Sequence, residues 1–431
     1  MSGSRTVTIG LLGFGVVGQG VWKNIEQNRS ALEKRLGVQL SISKIVVRSL
    51  DREREIKVPR QILSEDPDSI LEDPTIDIIC ELIGGTDTAL DWTERALKAG
   101  KIVISANKAL ICEHGESLFQ LALEHGGHYL FEASVAGGIP IIKTLREALV
   151  ANRFNLIYGI LNGTSNYILS EMENSEQNFV DVLKKAQLLG YAEPGNPKLD
   201  LNGFDAFAKV RILSALAFNS KISNKKCLME GIEKIDLKDI KIANQLDLRI
   251  KLLGISELKN NQLFETVHPC LVSKKSYIGN VNGVMNAVIL NGKPVGESVL
   301  QGEGAGPGPT SSSLLSDLLS ILRGNIKKPF GVSVNKLKTL KTYNVNNYVN
   351  SLYLRFEVKD KPGVLSQITN RLAKYKISVK RLIQTPDKKN NKATIVIVTH
   401  KTTELNCNSC LSIFKKNKNI LKSPTLIRLL D

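Results

Sequence analysis

An apolar run, Val7 to Leu12 (VTIGLL), meets Gly13-Phe14-Gly15-Val16-Val17-Gly18 and then a helix-forming stretch, Gln19 to Leu36. Strand, glycine turn and helix in that order leave the chain little freedom. The first glycine permits the tight turn, the second lets a pyrophosphate approach the backbone, and the third lets the helix pack on the strand. Free amides at the helix N-terminus then face the phosphates. The expected class is α/β with a Rossmann-type dinucleotide-binding domain at the N-terminus, and Gly13 to Gly18 are cofactor residues.

The second strand should be Gln39 to Val47, and its end is where an adenosine ribose is read. Arg48 stands there, followed by Arg52, Arg54 and Lys57. An arginine suits a 2′-phosphate and favours NADP, while nearby Asp51 leaves NAD open. A third β-like run, Ile76 to Ile83 (IDIICELI), ends in Gly84-Gly85-Thr86, and Ile102 to Ser105 runs into Ala106-Asn107-Lys108. Residues just past strand ends face the crevice of an open α/β sheet, so Gly84, Thr86, Ser105 and Lys108 are candidates for it. Further on, Tyr129 to Ala133 opens into Ser134-Val135-Ala136-Gly137-Gly138-Ile139-Pro140, with Glu132 adding a carboxylate. Phe154 to Leu161 precedes Asn162-Gly163-Thr164. That triplet fits a glycosylation sequon. In a cytoplasmic enzyme it reads better as small groups and helix amides facing a ligand, which makes Gly163 and Thr164 substrate candidates.

Tyr191 to Lys209 (YAEPGNPKLDLNGFDAFAK) places Glu193 and Asp200 on a Pro/Gly-rich loop, with Asp205 and Lys209 four apart on the helix after it. Taken alone, an acid four residues before a lysine is a surface ion pair. The continuation VRILSALAF is apolar on nearly every side, which argues for a buried helix. On a buried helix both charges need partners or a role.

Length and composition bound the rest. The 431 residues suggest roughly three domains at about 150 residues each. No run approaches the ~18 apolar residues of a membrane span. The N-terminus has one arginine and an apolar core but lacks a signal-peptide cleavage site, so the chain is expected in the cytoplasm. Cys80, Cys112, Cys227, Cys270, Cys407 and Cys410 are too scattered for a disulfide framework, and the single CxxC at Cys407–Cys410 reads as two unpaired thiols. His268 is a lone histidine in a β-like region and calls for no metal. Gly231 to Ile235 reads as a loop entering a strand, and Lys327 to Asn350 as a polar connector. The net charge is +16, and from Tyr348 onward 17 Lys and Arg stand against 5 Asp and Glu.

GFGVVG, ANKAL, FEASVAGGIPII, GILNGTSNYIL, AEP…DLNGFDAFAK and GEGAGPGPTSSSLLSDL (Gly302 to Leu318) occur in one order over most of the first 330 residues. In this the chain resembles homoserine dehydrogenases of the long, monofunctional kind with a C-terminal ACT domain. Near the C-terminus Asp360-Lys361-Pro362-Gly363-Val364-Leu365, set in a βαββαβ order, resembles that ACT domain, a ferredoxin-like amino acid sensor. The resemblance implies reversible NAD(P)H-dependent reduction of L-aspartate 4-semialdehyde to L-homoserine, in threonine, methionine and isoleucine biosynthesis. It implies Lys209 as acid/base group with Asp205 orienting it, Lys108 beside the reacting oxygen, and Glu193 and Asp200 on the substrate's amino acid part. It also implies a monovalent cation (Na+ or K+) on carbonyls of Val135, Gly137 and Ile139 with Glu132 assisting, and a loop around Gly304 closing over the nicotinamide. The family spaces its glutamate and aspartate by six residues, with an acid in the turn. Here Glu193 to Asp200 is seven, and the turn reads Pro194-Gly195-Asn196-Pro197.

The expected organisation is a dinucleotide domain at 1–135 with 305–330 returning to it, an α+β substrate and dimerisation domain at 136–304, a linker at 331–347 and the ACT domain at 348–431. Threonine is the expected effector, and a homodimer or homotetramer the expected assembly. No membrane or nucleic acid partner is expected: an RRM shares the βαββαβ order but needs aromatics on its central strands, and ATIVIVT has none. Two other readings remain, a dehydrogenase of another small aldehyde or hydroxy acid, and a non-catalytic NADP-binding regulator.

Overall fold

The computed structural model describes residues 5–223, 225, 228–326, 328–387, 390–414 and 417–430, so Cys227 lies outside the described residues. The chain divides into two compact units, Met1–Gly163 with Phe207–Lys225 and Met285–Leu340, and Thr164–Ala206 with Lys226–Val284 and Lys341–Asp431.

In the first unit, β1 (Thr6–Leu12), β2 (Gln39–Val46), β3 (Leu63–Ser64), β4 (Ile78–Glu81), β5 (Ile102–Ser105) and β6 (His128–Leu130) form one parallel sheet in the order β3-β2-β1-β4-β5-β6. The runs are short and apolar because strands covered on both faces have no solvent side to alternate with. The order reverses between β1 and β4, and that is where a doubly wound sheet opens a crevice at its carboxyl ends. Helix α1 (Val16–Leu36) starts one residue after Gly15 and buries Val21 and Ile25 against Ile9, Leu11 and Ile45. Helix Pro307–Leu322 inserts Leu314, Leu315 and Leu318 into the same core. It approaches α1 so closely that a Cβ on Gly20 would stand 2.4 Å from the Pro307 carbonyl. This unit also holds the antiparallel ribbon Arg153–Ile160, Met285–Lys293 and Gly296–Glu303, with Ala287 opposite Ile160.

The second unit is built on a hairpin of two 12-residue strands, Leu248–Lys259 and Gln262–Ser273. Strand Thr425–Leu429 pairs with it through Cys270 and Leu271, and on its other side with Leu352–Lys359. The sheet then continues through Lys392–Thr399 to Val379–Asp387. Helices Val364–Lys374 and Glu404–Phe414 cover it, completing the βαββαβ arrangement expected of an ACT domain. Cys407 and Cys410 are free thiols buried under that sheet, and burial pushes them up to about 12 and about 11. They pack as small apolar groups.

Two local expectations need correction. Gly231 to Ile235 leads into a helix, Leu237–Gln245, and not a strand, because Asp236 caps the Lys238 amide at 2.9 Å while Asp239 returns to the Asp236 amide at 3.0 Å. The polar connector contributes a strand, Lys341–Thr342, which takes up the edge of Gln262–Leu263. Asp239, fully buried, also receives the Tyr353 hydroxyl at 2.9 Å and the Arg355 guanidinium at 2.6 and 2.9 Å, fastening the helix to the first ACT strand. No described helix is long and apolar enough to cross a membrane.

Candidate active site

The crevice is set by main-chain bonds at the strand ends. The Gly13 amide donates to the Val46 carbonyl at 2.9 Å and the Leu82 amide to the Leu12 carbonyl at 2.8 Å, so the glycine turn sits between β2 and β4. Gly13 has φ +108°, open to glycine at little cost. A Cβ on Gly18 would stand 2.4 Å from the Gly13 carbonyl, whereas one on Gly15 would meet nothing within 4 Å. Gly18 is thus required by the fold, and Gly15 leaves room above the turn. Phe14 is buried in the core, Val16 and Val17 begin α1, and Arg48 is exposed just past β2.

A polar network that sequence reasoning missed underlies the next two strand ends. Glu81, fully buried at the end of β4, accepts from the Ser105 hydroxyl at 2.6 Å and the Ile83 amide at 3.2 Å. Burial raises its carboxyl above the ordinary range, and these donors oppose the rise. Ser105 in turn accepts from the Asn107 amide at 3.0 Å, and Asn107 both caps Leu110 and donates to the Gly85 carbonyl at 2.7 Å. Gly84 and Thr86 on one side and Ser105 and Lys108 on the other are therefore held together at the crevice edge. The signal in the sequence was Glu81, a carboxylate near the end of the apolar run IDIICELI.

Lys108 is the first residue of helix Lys108–Glu124. From this helix the Cys112 thiol donates to the Ala208 carbonyl at 3.3 Å, and Glu116 pairs with Lys221 at 3.0 Å. The start of that helix therefore lies near Lys209, which follows Ala208. Lys209 is buried, and its ammonium donates to the Leu161 carbonyl at 2.8 Å, one residue beyond strand Arg153–Ile160. Asp205 sits one turn earlier on the continuous helix Phe204–Phe218.

Glu132 is fully buried. Its two carboxylate oxygens accept the Ile142 and Lys143 amides at 3.0 and 2.8 Å, capping the following helix, and its own amide donates to Asp317 at 2.8 Å. Burial, and then the Asp317 charge, push Glu132 up to about 8. Between Val135 and Ile139 the backbone turns through Ala136 at φ +52° and Gly137 at φ +20°. Gly137 and Gly138 lie against Gly304 and Glu303, where a Cβ would stand 2.8 and 2.9 Å from carbonyl oxygens. The Gly137 carbonyl accepts the Ser313 hydroxyl, and the Ile139 carbonyl accepts the Ile141 amide.

In the second unit, the Thr164 hydroxyl donates to the Tyr191 carbonyl at 2.5 Å and the Ser165 hydroxyl to the Asp200 carbonyl at 3.0 Å. One helix start thus holds both ends of the Glu193–Asp200 loop. Glu193 to Asn196 are exposed, and Asp200 rides on a one-turn helix, Lys198–Leu201, half-buried.

Three family models match the chain: the homoserine dehydrogenase NAD-binding domain over residues 13–132, homoserine dehydrogenase over 140–319, and the ACT domain over 352–406. A homoserine dehydrogenase of Neisseria gonorrhoeae is 39% identical, covering 99% of each chain. The chain belongs to the homoserine dehydrogenases. One from Helicobacter pylori is 38% identical over 99% of both chains. The crystal structure of the Thiobacillus denitrificans homoserine dehydrogenase superposes with a TM-score of 0.92 at 36% identity over 100% of both chains. A Staphylococcus aureus homoserine dehydrogenase gives 0.76 at 33% over 99% of both. This homoserine dehydrogenase is thus an NAD(P)-dependent oxidoreductase with a C-terminal ACT domain.

Proposed function

We propose that Lys209 is the acid/base group in the reversible reduction of L-aspartate 4-semialdehyde to L-homoserine. The observation that carries this reading is the buried ammonium held by the Leu161 carbonyl. Bound in the crevice, the reduced nicotinamide supplies hydride to the aldehyde carbon. Negative charge then builds on the carbonyl oxygen, and an ammonium there both stabilises the charge and gives up a proton. In the reverse direction the amine takes the hydroxyl proton. Asp205 orients Lys209, Lys108 supplies a second positive charge near the oxygen, and Glu193 and Asp200 bind the amino acid part, with Gly163 and Thr164 at the helix start beside them.

The coenzyme residues are Gly13 to Gly18, Gly84, Thr86, Ser105, Lys108 and Gly304, and Arg48 at the end of β2 favours NADP over NAD. A monovalent cation fits the Val135–Ile139 turn. The Gly137 and Ile139 carbonyls each accept one hydrogen bond and keep a second lone pair, with Val135 adjoining and Glu132 behind. The organisation is a dinucleotide domain at 1–135 with 305–330, a substrate and dimerisation domain at 136–304, a linker at 331–347 and the ACT domain at 348–431. The ACT domain supports an amino acid effector, which we take to be threonine, in a homodimeric or homotetrameric cytoplasmic enzyme of threonine, methionine and isoleucine biosynthesis.

Steady-state assay of the semialdehyde with NADPH and with NADH, each with and without threonine, tests the reading. Turnover favouring NADPH and falling with threonine supports it. Equal use of both coenzymes or indifference to threonine would remove the corresponding part.

A further inference from the structure

The turn that carries Asp200 is gripped from two sides. On one, Ser165 holds the Asp200 carbonyl. The helix start behind Ser165 is anchored by Asn166, whose side chain donates to the carbonyls of Val281 and Gly283 at 3.2 and 3.0 Å and accepts from the buried Lys251 ammonium at 3.2 Å. On the other side runs a short strap, Glu230 to Ile232. The Ile232 amide donates to the Leu201 carbonyl at 3.0 Å. Gly231 lies so close that a Cβ on it would stand 2.1 Å from that carbonyl and 2.7 Å from the Asn202 Cα. The strap has no clearance against the turn, so moving one moves the other.

The far end of the strap is held by the last ACT strand. Both terminal nitrogens of Arg428 reach the Glu230 carboxylate, at 2.8 and 3.2 Å. The same guanidinium, almost completely buried, also bonds Glu404 at the start of the ACT helix Glu404–Phe414. A guanidinium forked between two carboxylates has a fixed geometry and cannot follow one partner without pulling on the other. The strap also borders a cleft of about 1310 Å³ that Arg355, Lys422 and Thr425 line as well, so it is not packed solid on that side.

We propose that Arg428 is a positioning residue for the substrate turn. Through Glu230, Gly231 and the Leu201 carbonyl, the ACT domain sets where Asp200 stands and with it the affinity for the substrate's amino acid part. This rests on the assignment of Asp200 to substrate binding made above. An amino acid effector that shifts the ACT helix or its last strand then acts on KM for the semialdehyde and spares kcat, because hydride and proton transfer lie elsewhere.

The test compares full-length wild type with Gly231→Ala, Glu230→Gln, Arg428→Lys and the double variant Glu230→Gln/Arg428→Lys. Initial rates are taken over a range of semialdehyde at saturating coenzyme, with coenzyme Kd measured by titration as a check on the fold. The expected result is KM raised about fivefold or more in each single variant, kcat within about twofold and coenzyme Kd unchanged. The double variant should be no worse than the worse single one, because both changes cut one link. An unchanged KM in Gly231→Ala, or effects of Glu230→Gln and Arg428→Lys that multiply, would overturn the proposal. If Gly231→Ala loses coenzyme affinity, Glu230→Gln and Arg428→Lys carry the test without it. A wild type that does not turn over the semialdehyde would instead defeat the underlying reaction.

Discussion

Lys209 Nζ donates to the main-chain oxygen of Leu161 at 2.8 Å, so the backbone takes part in aiming the amine. Lys209→Ala should lower kcat by about a hundredfold or more, the usual scale for removing an acid/base group. Coenzyme Kd, measured by fluorescence titration, should stay at the wild-type value, since the glycine turn is untouched. Wild-type turnover in the variant would reassign the role.

Gly15 and Gly18 should part company when each is changed to alanine. At Gly18 the new methyl meets the Gly13 carbonyl, and overpacking of that kind costs about 1–3 kcal/mol, read as a lowered thermal midpoint. At Gly15 it meets no protein atom. The expected outcome there is an unchanged midpoint with weakened NADPH affinity.

Ser105→Ala removes the hydroxyl that faces the buried Glu81 carboxylate. A buried acceptor left short of a partner costs about 1–3 kcal/mol. Urea midpoints should fall accordingly. Ser105→Thr, which keeps the hydroxyl, should recover part of the loss.

Burial holds Lys251 at about 8, below its ordinary 10.5. Between those values the unfolded chain binds the additional proton, so stability rises as pH climbs through the window and is lost as pH falls back. Urea midpoints of wild type relative to Lys251→Met should therefore increase from about pH 7.5 to about pH 10. A constant difference would show that the ammonium does not titrate there.

What could be read in advance was mostly local. VTIGLL, the glycine turn and α1 are contiguous, and their geometry follows from φ/ψ freedom and periodicity alone. Lys209 stood out because a charge on an apolar helix is conspicuous. Glu81 was equally conspicuous inside IDIICELI and went unread, and Ser165 passed as one more small residue. The Leu237–Gln245 helix was misjudged although Asp236 and Asp239 spell a capping box. Other features had no local trace. Asp239 and Arg355 are 116 residues apart, and the pairing of Cys270 with Arg428 depends on a sheet edge that no periodicity announces.

The pairing of Thr425–Leu429 with the Gln262–Ser273 strand gives the C-terminus a structural duty. A chain stopped before Tyr348 would lose the neighbour of Cys270 and Leu271 and leave Asp239 buried without Tyr353 and Arg355. Such a chain would carry a bare strand edge and an unmatched charge into every encounter with its own copies. Deleting the ACT domain should therefore yield aggregates and not a soluble shortened enzyme, which makes the C-terminus a keel of this protein.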